Sequence, residues 1–265
     1  MQTVSVPQIA VEGLTMAYDG RVIQRDLSFA VEAGAIFVIM GSSGCGKSTL
    51  LRHLIGLREP AAGQVCHRGV SFWDTSQAER DTMMRRGGVL YQSGGLWSSM
   101  TLAENVALPL REYTQLGRRD IRDIVATKLA LVGLAGFEDF YPAEISGGMQ
   151  KRAGLARAMA LDPETLFLDE PSSGLDPVSA RRLDDLILEL RASLGTTIVV
   201  VSHELASIFA IATDSVFLDP EARTAIARGD PRELLTHSDD PKVQAFLTRG
   251  GGRMRGARAP STTQG

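Results

Sequence analysis

The sequence has little cysteine, no excess of positive charge and no long apolar run. Its two cysteines, Cys45 and Cys66, show no metal-ligand spacing, and a disulfide at Cys45 would disrupt a glycine-rich loop, so we expect a reducing compartment. The net charge of −3 gives no basic footprint for nucleic acid. Its longest apolar stretches, such as 205–212, are shorter than the roughly 18 residues of a membrane span, and the first residues do not have the pattern of a signal peptide. Any membrane role is therefore expected to be peripheral.

A glycine-rich segment follows the first fully apolar run of the chain. The segment 35–51, AIFVIMGSSGCGKSTLL, fits the pattern GxxxxGKS with Gly41, Gly46, Lys47 and Ser48 at the fixed positions. An apolar strand before it and an apolar helix after it favour a phosphate-binding loop over a plain glycine-rich turn. Backbone N–H groups would surround a β-phosphate, Lys47 would reach the β- and γ-phosphates, and the Ser48 hydroxyl would ligate Mg²⁺. The predicted nucleotide-binding loop comprises Gly41, Ser42, Ser43, Gly44, Cys45, Gly46, Lys47, Ser48 and Thr49.

Cys45 lies close to the predicted helix start, where the pKa of a thiol tends to fall. One hypothesis is therefore that oxidation of this thiol inhibits the protein. The alternative is that Cys45 only fills space in the loop.

Polar side chains follow several of the predicted strands. Asp169 and Glu170 end the run TLFLDE, Gln92 follows a short strand, and His203 follows TTIVVV. Ligands of open parallel α/β sheets bind at the carboxyl edge, so we expect these side chains to converge. Asp169 would hold Mg²⁺, Glu170 would deprotonate the attacking water, and His203 would contact the γ-phosphate. Gln92 matters only if it also reaches the γ-phosphate.

A second anion site is predicted far downstream of the first. Ser146, Gly147 and Gly148 precede a long helix, and a Ser N-cap followed by two glycines exposes backbone N–H groups. Either one chain binds two anions, or this site completes the nucleotide site of another copy. The second option uses every residue with one nucleotide per site, in a head-to-tail dimer that closes only with nucleotide bound.

Strand and helix patterns alternate along the chain and predict an α/β fold. Residues 9–18 and 27–31 form a predicted antiparallel hairpin, and apolar spacing of three and four residues predicts helices over 100–161. The Gly/Arg-rich end of the chain lacks apolar residues and acids, so it is predicted to be disordered. The predicted division is a single domain 1–248, with a core at 1–95 and 160–230, a helical insert at about 96–160, a helical region at 231–248 and a tail at 249–265.

Taken in order, the motifs resemble those of an ABC-type ATPase over nearly the whole chain. They are Tyr18, GSSGCGKST, Gln92, ISGGMQ, LFLDEPSSGLD and His203. The resemblance implies a P-loop NTPase core with a mixed sheet, an antiparallel N-terminal β-subdomain and a helical insert. Within that family, YQSGGLW, ALPLREYTQL, SGGM and DPKVQAFL resemble the ATPase subunits of the Mla (maintenance of lipid asymmetry) phospholipid transporters, which work with Mce-domain lipid-binding proteins.

The resemblance also implies a role for each matching residue. The implied roles are adenine stacking for Tyr18, phosphate and Mg²⁺ binding for Gly41 to Thr49, Mg²⁺ and coupling contacts for Gln92, γ-phosphate contacts across a dimer for Ser146, Gly147 and Gly148, Mg²⁺ positioning for Asp169, general base for Glu170, a cross-dimer contact for Asp176 and γ-phosphate sensing for His203. Met149 departs from the family, most of whose members carry Gln there. Side-chain contacts at that position are not carried over, whereas the backbone N–H argument is unaffected.

The function predicted by this resemblance is ATP hydrolysis that drives phospholipid movement between membranes. Its expected partners are a second copy in an ATP-sandwich homodimer, a transmembrane permease docked on the helical insert and, through the complex, an Mce-domain protein and a small STAS-type accessory protein. No nucleic acid partner is expected, and the chain is placed on the cytoplasmic face of the inner membrane.

Three other functions compete with this prediction. They are the ATPase of another importer or exporter, a soluble ABC ATPase of translation or DNA repair, and a regulatory module that does not hydrolyse ATP. A single cassette without sustained heptads argues against the soluble class. The presence of Lys47, Asp169, Glu170 and His203 argues against the non-hydrolysing module.

Overall fold

A computed structural model describes residues 6–249, which form ten strands and nine α-helices in two sheets and their flanking layers. The strands are β1 Ile9–Tyr18, β2 Arg21–Val31, β3 Ile36–Gly41, β4 Ala62–His67, β5 Val70–Ser71, β6 Gly87–Leu90, β7 Thr165–Asp169, β8 Thr197–Val201, β9 Asp214–Asp219 and β10 Thr224–Arg228. The helices are α1 Lys47–Ile55, α2 Gln77–Arg85, α3 Leu102–Tyr113, α4 Arg118–Leu131, α5 Gly147–Ala158, α6 Pro177–Leu194, α7 Leu205–Ile211, α8 Pro231–His237 and α9 Pro241–Thr248. One 3₁₀ turn, Pro142–Glu144, precedes α5.

The first sheet is antiparallel, with strand order β2-β1-β4-β5. Its hairpin turns at Asp19 and Gly20, as predicted, but β2 begins at Arg21 rather than Leu27. The polar residues Arg25 and Asp26 resemble a loop in the sequence. A shift in register between the two strands accommodates them, and Asp26 adopts a φ of 53°.

The second sheet has six strands in the order β10-β9-β3-β8-β7-β6, and only β10 pairs antiparallel to its neighbour. Every residue of β3 and β8 is buried, as expected for central parallel strands covered on both faces. Because these strands run the same way, the segments after β3, β6, β7 and β8 emerge at one edge. The predicted site residues that follow strands therefore share this carboxyl edge.

Helices α3, α4 and α5 pack on one another, and α5 contacts β6 at the side of the second sheet. Apolar residues of α3 and α4, including Leu102, Val106 and Leu129, are fully buried in the cluster that also contains β3 and β8. A Thr101–Glu104 capping box starts α3. The start of α5 therefore lies in this group of helices, beside the second sheet.

The closing region forms two helices rather than one segment. Asp230 and Asp240 are N-caps, and each is followed by a proline at the first helical position, so a new helix begins at Pro241. Phe246 of α9 packs edge-on against Phe217 of β9, with ring centroids 5.1 Å apart. The tail predicted to be disordered lies, from residue 250 onward, outside the described residues. Within 6–249, none of the helices combines the length and apolarity needed to span a bilayer.

Candidate active site

The glycine-rich loop joins β3 to α1. Gly44 and Gly46 have φ of 78° and 100°, and a Cβ at Gly46 would lie 2.8 Å from a methyl carbon of Ile23. Helix α1 begins at Lys47 with glycine as its N-cap, so its first backbone N–H groups are not capped by a side chain. The Lys47 ammonium is buried and donates to the carbonyls of Gly41 and Ser42, both at 3.0 Å. Free N–H groups and a cation thus face one anion-sized region.

Ser48 and Asp169 meet across the sheet edge. The Ser48 hydroxyl donates to Oδ1 of Asp169 at 3.0 Å. A hydroxyl and a carboxylate oxygen are the hard ligands that Mg²⁺ takes beside nucleotide phosphates. The Ser48 hydroxyl and the Asp169 carboxylate are therefore suitable oxygen ligands for a Mg²⁺ bound with nucleotide.

Glu170 is held in a strained and oriented position after β7. Its φ is 48°, unusual for a residue other than glycine, and its N–H donates to Val201 O at 2.9 Å. One carboxylate oxygen lies 2.7 Å from Nδ1 of His203. The other oxygen is buried and lacks a hydrogen-bond partner among residues 6–249. Glu170 thus offers an oriented acceptor that can take a proton from water.

A single open cleft of about 990 Å³ collects most of the predicted residues. Those that line it are Tyr18, Ser43 to Thr49, Gln92, Glu170 and His203. The Tyr18 ring is 56% exposed. The Arg58 guanidinium covers one face of that ring at 4.5 Å from the centroid and donates to Ala17 O at 3.0 Å. A base can therefore stack only on the opposite face.

The second predicted anion site lies apart from this cleft, because neither Ser146–Gly148 nor Asp176 lines it. Ser146 caps α5 by accepting from Met149 N at 3.3 Å. Asp176 caps α6, and the bonds it accepts, chiefly from Ser179, hold the pKa of its carboxyl below the usual range. A Cβ on Gly148 would lie 3.4 Å from Ser179, so the starts of α5 and α6 are neighbours.

Two supporting residues were missed at the sequence level. Gln24 is buried and its side-chain amide donates to Cys45 O at 2.8 Å and Asp219 O at 3.1 Å, which ties the glycine-rich loop to β9. No sequence signal marked Gln24, because position 24 lies outside the strand predicted at 27–31. Lys151 is buried on α5, and its ammonium donates to the carbonyls of Gln92 and Glu170. No sequence pattern distinguished this lysine from a solvated one.

The lowered thiol pKa expected for Cys45 is wrong. The side chain is 1% exposed, and burial raises its pKa more than the charge of Lys47 lowers it. A Cβ on Gly41 would lie 2.8 Å from its sulfur, so the thiol fills space beneath the loop. The structure supports the space-filling alternative.

Residues 24–173 match the family model described as "ABC transporter". The chain belongs to the ABC transporter family. A relative from Haemophilus influenzae is named "Intermembrane phospholipid transport system ATP-binding protein MlaF". It is 41% identical over 90% of this chain and 89% of its own length. A relative from Mycobacterium bovis is named "Probable ribonucleotide transport ATP-binding protein mkl". It is 43% identical over 90% of this chain. The matched part of this chain spans 66% of the length of that mycobacterial protein.

Solved structures confirm the predicted fold class. The dimeric ABC cassette MJ0796 in a post-hydrolysis state, bound to ADP and Pi, is similar with a TM-score of 0.76 and 25% identity, covering 84% of this chain and 98% of its own. The cbiO1 cassette from Clostridium perfringens is similar with a TM-score of 0.79 over 91% of this chain and 94% of its own. At 24% identity, the second likeness shows the fold alone. The chain thus has the architecture of an ABC ATPase cassette.

Proposed function

We propose that this chain binds ATP with Mg²⁺ and hydrolyses it to ADP and phosphate. The observation that carries the proposal is the free, buried oxygen of Glu170 beside His203, in the same cleft as the phosphate loop. On this proposal, Tyr18 stacks on the base and Lys47 turns from its carbonyl partners to the β- and γ-phosphates. Ser48, Asp169 and Gln92 would hold Mg²⁺, and the ion would neutralise phosphate charge.

Glu170 is the proposed general base. It takes a proton from water as the water oxygen forms a bond to the γ-phosphorus, and the bond to the β–γ bridging oxygen breaks with its electron pair leaving on ADP. His203 orients the carboxylate from one side and contacts the γ-phosphate. The hydrogen bond from Glu170 N–H to Val201 O holds the strained backbone of Glu170 in this geometry before the nucleotide arrives.

The proposed working unit is a head-to-tail dimer of this chain. Ser146, Gly147, Gly148 and Asp176 do not line the nucleotide cleft, so they do not contact a nucleotide bound there in the same chain. In the dimer they would complete the partner's site and contact its γ-phosphate. The dimeric state of the similar MJ0796 cassette, which holds ADP and Pi, supports this arrangement.

The proposed process is phospholipid transport between membranes, with this chain on the cytoplasmic face of the inner membrane. The names of the MlaF relatives support it. Nucleotide transport is the second candidate, favoured by the name of the mycobacterial relatives. An Mce-domain protein and a STAS-type accessory protein are proposed partners within the phospholipid transporter.

A permease helix is proposed to dock on the insert at about 96–160 and against the segment of the core, at 1–95 and 160–230, that leads into Gln92. A cavity of about 370 Å³ lies within the core beside that segment, and its lining includes Leu57, Phe72, Met84 and Tyr91. Leu57 and Tyr91 are 48% and 45% exposed, which is unusual for large apolar side chains next to a cavity. Since Tyr91 precedes Gln92, a helix docked there would contact the loop that carries a residue of the active site.

The Glu170→Gln variant tests the chemistry. Turnover should fall by roughly 10²-fold or more, because the amide cannot accept the proton. ATP binding should persist, and an ATP-dependent dimer should accumulate. Steady-state ATPase assays with light scattering measure both. Glu189→Gln, which makes the same change at an exposed carboxylate of α6 outside the cleft, is the control and should retain most of the turnover. Near-normal turnover in Glu170→Gln would remove Glu170 from this role.

The transport proposal is tested by affinity purification from solubilised membranes with mass spectrometry and phospholipid analysis. Recovery of a permease with an Mce-type protein and bound phospholipid is expected. An unrelated permease, or ribosomal or DNA-repair factors, would overturn the phospholipid assignment and leave the ATPase proposal intact.

A further inference from the structure

One face of α5 is fitted to the loop that begins with Gln92. Lys151, Gly154 and Arg157 follow one another at intervals of three residues, so they lie along the same side of the helix. All three contact the segment 92–95 or approach it closely. We call these three residues the α5 clamp.

Lys151 connects two strand-end loops at once. Its ammonium donates to the backbone carbonyl of Gln92 and, at 3.3 Å, to that of Glu170. The side chain is buried, and no carboxylate lies within ion-pair distance of it among residues 6–249. A buried cation is costly unless its donors are satisfied, so these two carbonyls are its structural partners.

Gly154 and Arg157 complete the fit. A Cβ on Gly154 would lie 2.5 Å from the carbonyl oxygen of Gly94, so the loop rests directly on the helix backbone. The Arg157 guanidinium is largely buried and donates to Gly95 O at 2.6 Å. Two cations therefore bind carbonyls of one short loop, with a close backbone contact between them.

We propose that Lys151 is a positioning residue for hydrolysis. It fixes the backbones that carry Gln92 and Glu170 relative to α5, and the α5 clamp makes the Gln92 loop move with that helix. The start of the same helix presents Ser146–Gly148 to the partner. Engagement of a partner at the helix start and placement of the two site residues are thereby linked through one rigid element. This inference rests on the proposed ATPase function.

The test compares Lys151→Met with Lys151→Gln and with Arg152→Met as a matched control. Methionine keeps approximately the volume of lysine and removes its hydrogen-bond donors, whereas glutamine restores a neutral donor. Arg152 is the control because its guanidinium also donates to backbone carbonyls, those of Val132 and Gly133, away from the cleft. Lys151→Met should lower kcat at least about tenfold with ATP affinity within about twofold, because positioning and not nucleotide contact is lost. Lys151→Gln should be intermediate, and Arg152→Met within about twofold of the unmodified protein.

Hydrogen exchange on the nucleotide-free protein gives a readout that does not depend on activity. The Gly94 amide donates to Tyr91 O at 2.8 Å, so the amides of 91–97 report on the loop. Their exchange should accelerate in Lys151→Met and not in Arg152→Met. Gly154→Ala is the second variant, since its added methyl must displace the loop without removing any donor. It should lower kcat and accelerate the same amides.

The outcomes separate this inference from the proposed function. If the unmodified protein hydrolyses ATP while Lys151→Met keeps its kcat and its exchange pattern, the positioning role is wrong. If the unmodified protein shows no ATPase activity, the proposed function is wrong, and the exchange data still decide whether the clamp holds the loop. Equal losses in Lys151→Met and Arg152→Met would point to general destabilisation of α5 and would also overturn the inference.

Discussion

Asp184 is a buried acid beneath the loop that follows Glu170. Its side chain is 4% exposed on α6, and one carboxylate oxygen lacks a hydrogen-bond partner among residues 6–249. Burial raises its pKa to about 6, although a hydrogen bond from Ser207 opposes the shift. The Oγ atom of Ser207 also lies 3.3 Å from Oγ of Ser172 in that loop. The ionised carboxylate is therefore held in a site that favours the neutral form.

This environment predicts a stability that depends on pH. The folded pKa lies above the unfolded value of 3.8, so the folded state binds the proton more tightly and stability is lost as pH rises through the window from about 4 to 6. Asp184→Asn removes this loss. Its free energy of unfolding relative to the unmodified protein should therefore increase by about 1–2 kcal/mol between pH 4.5 and pH 7.5. Urea unfolding at both pH values measures it.

Glu189→Gln controls for the Asp184 experiment, because it removes the same charge from an exposed position on the same helix. It should show no comparable gain. A constant difference between Asp184→Asn and the unmodified protein across this pH range would contradict the assigned burial cost.

At the residue level, the sequence predicts groups whose chemistry requires a recognisable pattern. Lys47, Asp169 and Glu170 follow apolar strands or glycine-rich turns, so their residue types and their sequence neighbours together indicate the site. Lys151 and Gln24 act on backbone carbonyls that are distant in sequence. Any residue with a carbonyl can be such a partner, so no pattern of letters marks the contact.

At the level of the element, buried strands were the most predictable feature. The runs around β3, β7 and β8 are apolar on both faces, which favours strands at the centre of a sheet that is covered on both sides. The start of β2 was not predicted, because its register shift depends on pairing with β1 rather than on its own letters. The break between α8 and α9 was readable in principle from the Asp–Pro pairs at 230–231 and 240–241.

Helix α5 combines two functions that the sequence reveals unequally. Its start carries the capping serine and two glycines, a local signal that predicts an anion site. Its flank carries the α5 clamp, whose meaning depends on which loop packs there. Lysine and arginine side chains on a helix face are usually solvated, and a glycine within a helix usually only lowers the stability of the helix. Only the tertiary contact converts them into a link to the active site.

For the whole molecule, the separation of the two anion-binding surfaces is the decisive property. The cleft contains the phosphate loop, Glu170 and His203, whereas Ser146–Gly148 lies outside it beside the start of α6. A chain that uses both surfaces on one nucleotide must do so with a second copy. The dimer is therefore expected to depend on nucleotide and on the integrity of the α5 start.

The final prediction uses Gly148→Asp in a chain that also carries Glu170→Gln. The added side chain would start 3.4 Å from Ser179, between the starts of α5 and α6. It would place a negative charge at the surface proposed to meet the partner's γ-phosphate, so ATP should no longer produce a dimer. Nucleotide binding to the cleft of each monomer should be unchanged. Helix α5 should still form, because an acid in the first turn of a helix is favourable in itself. Light scattering with and without ATP, together with nucleotide-binding titration, measures both expectations.

Ala130→Asp provides the matched control, since it adds the same charge at an exposed position of α4, also in the insert. It should leave the ATP-dependent dimer of the Glu170→Gln background intact. If Gly148→Asp dimerises with ATP as readily as this control, the start of α5 does not face the partner's nucleotide. The two surfaces would then serve two separate anions in one chain, which was the alternative open from the sequence. A loss confined to Gly148→Asp would support a nucleotide site built from two chains, because Gly148 does not line the cleft formed by the described residues 6–249 of one chain.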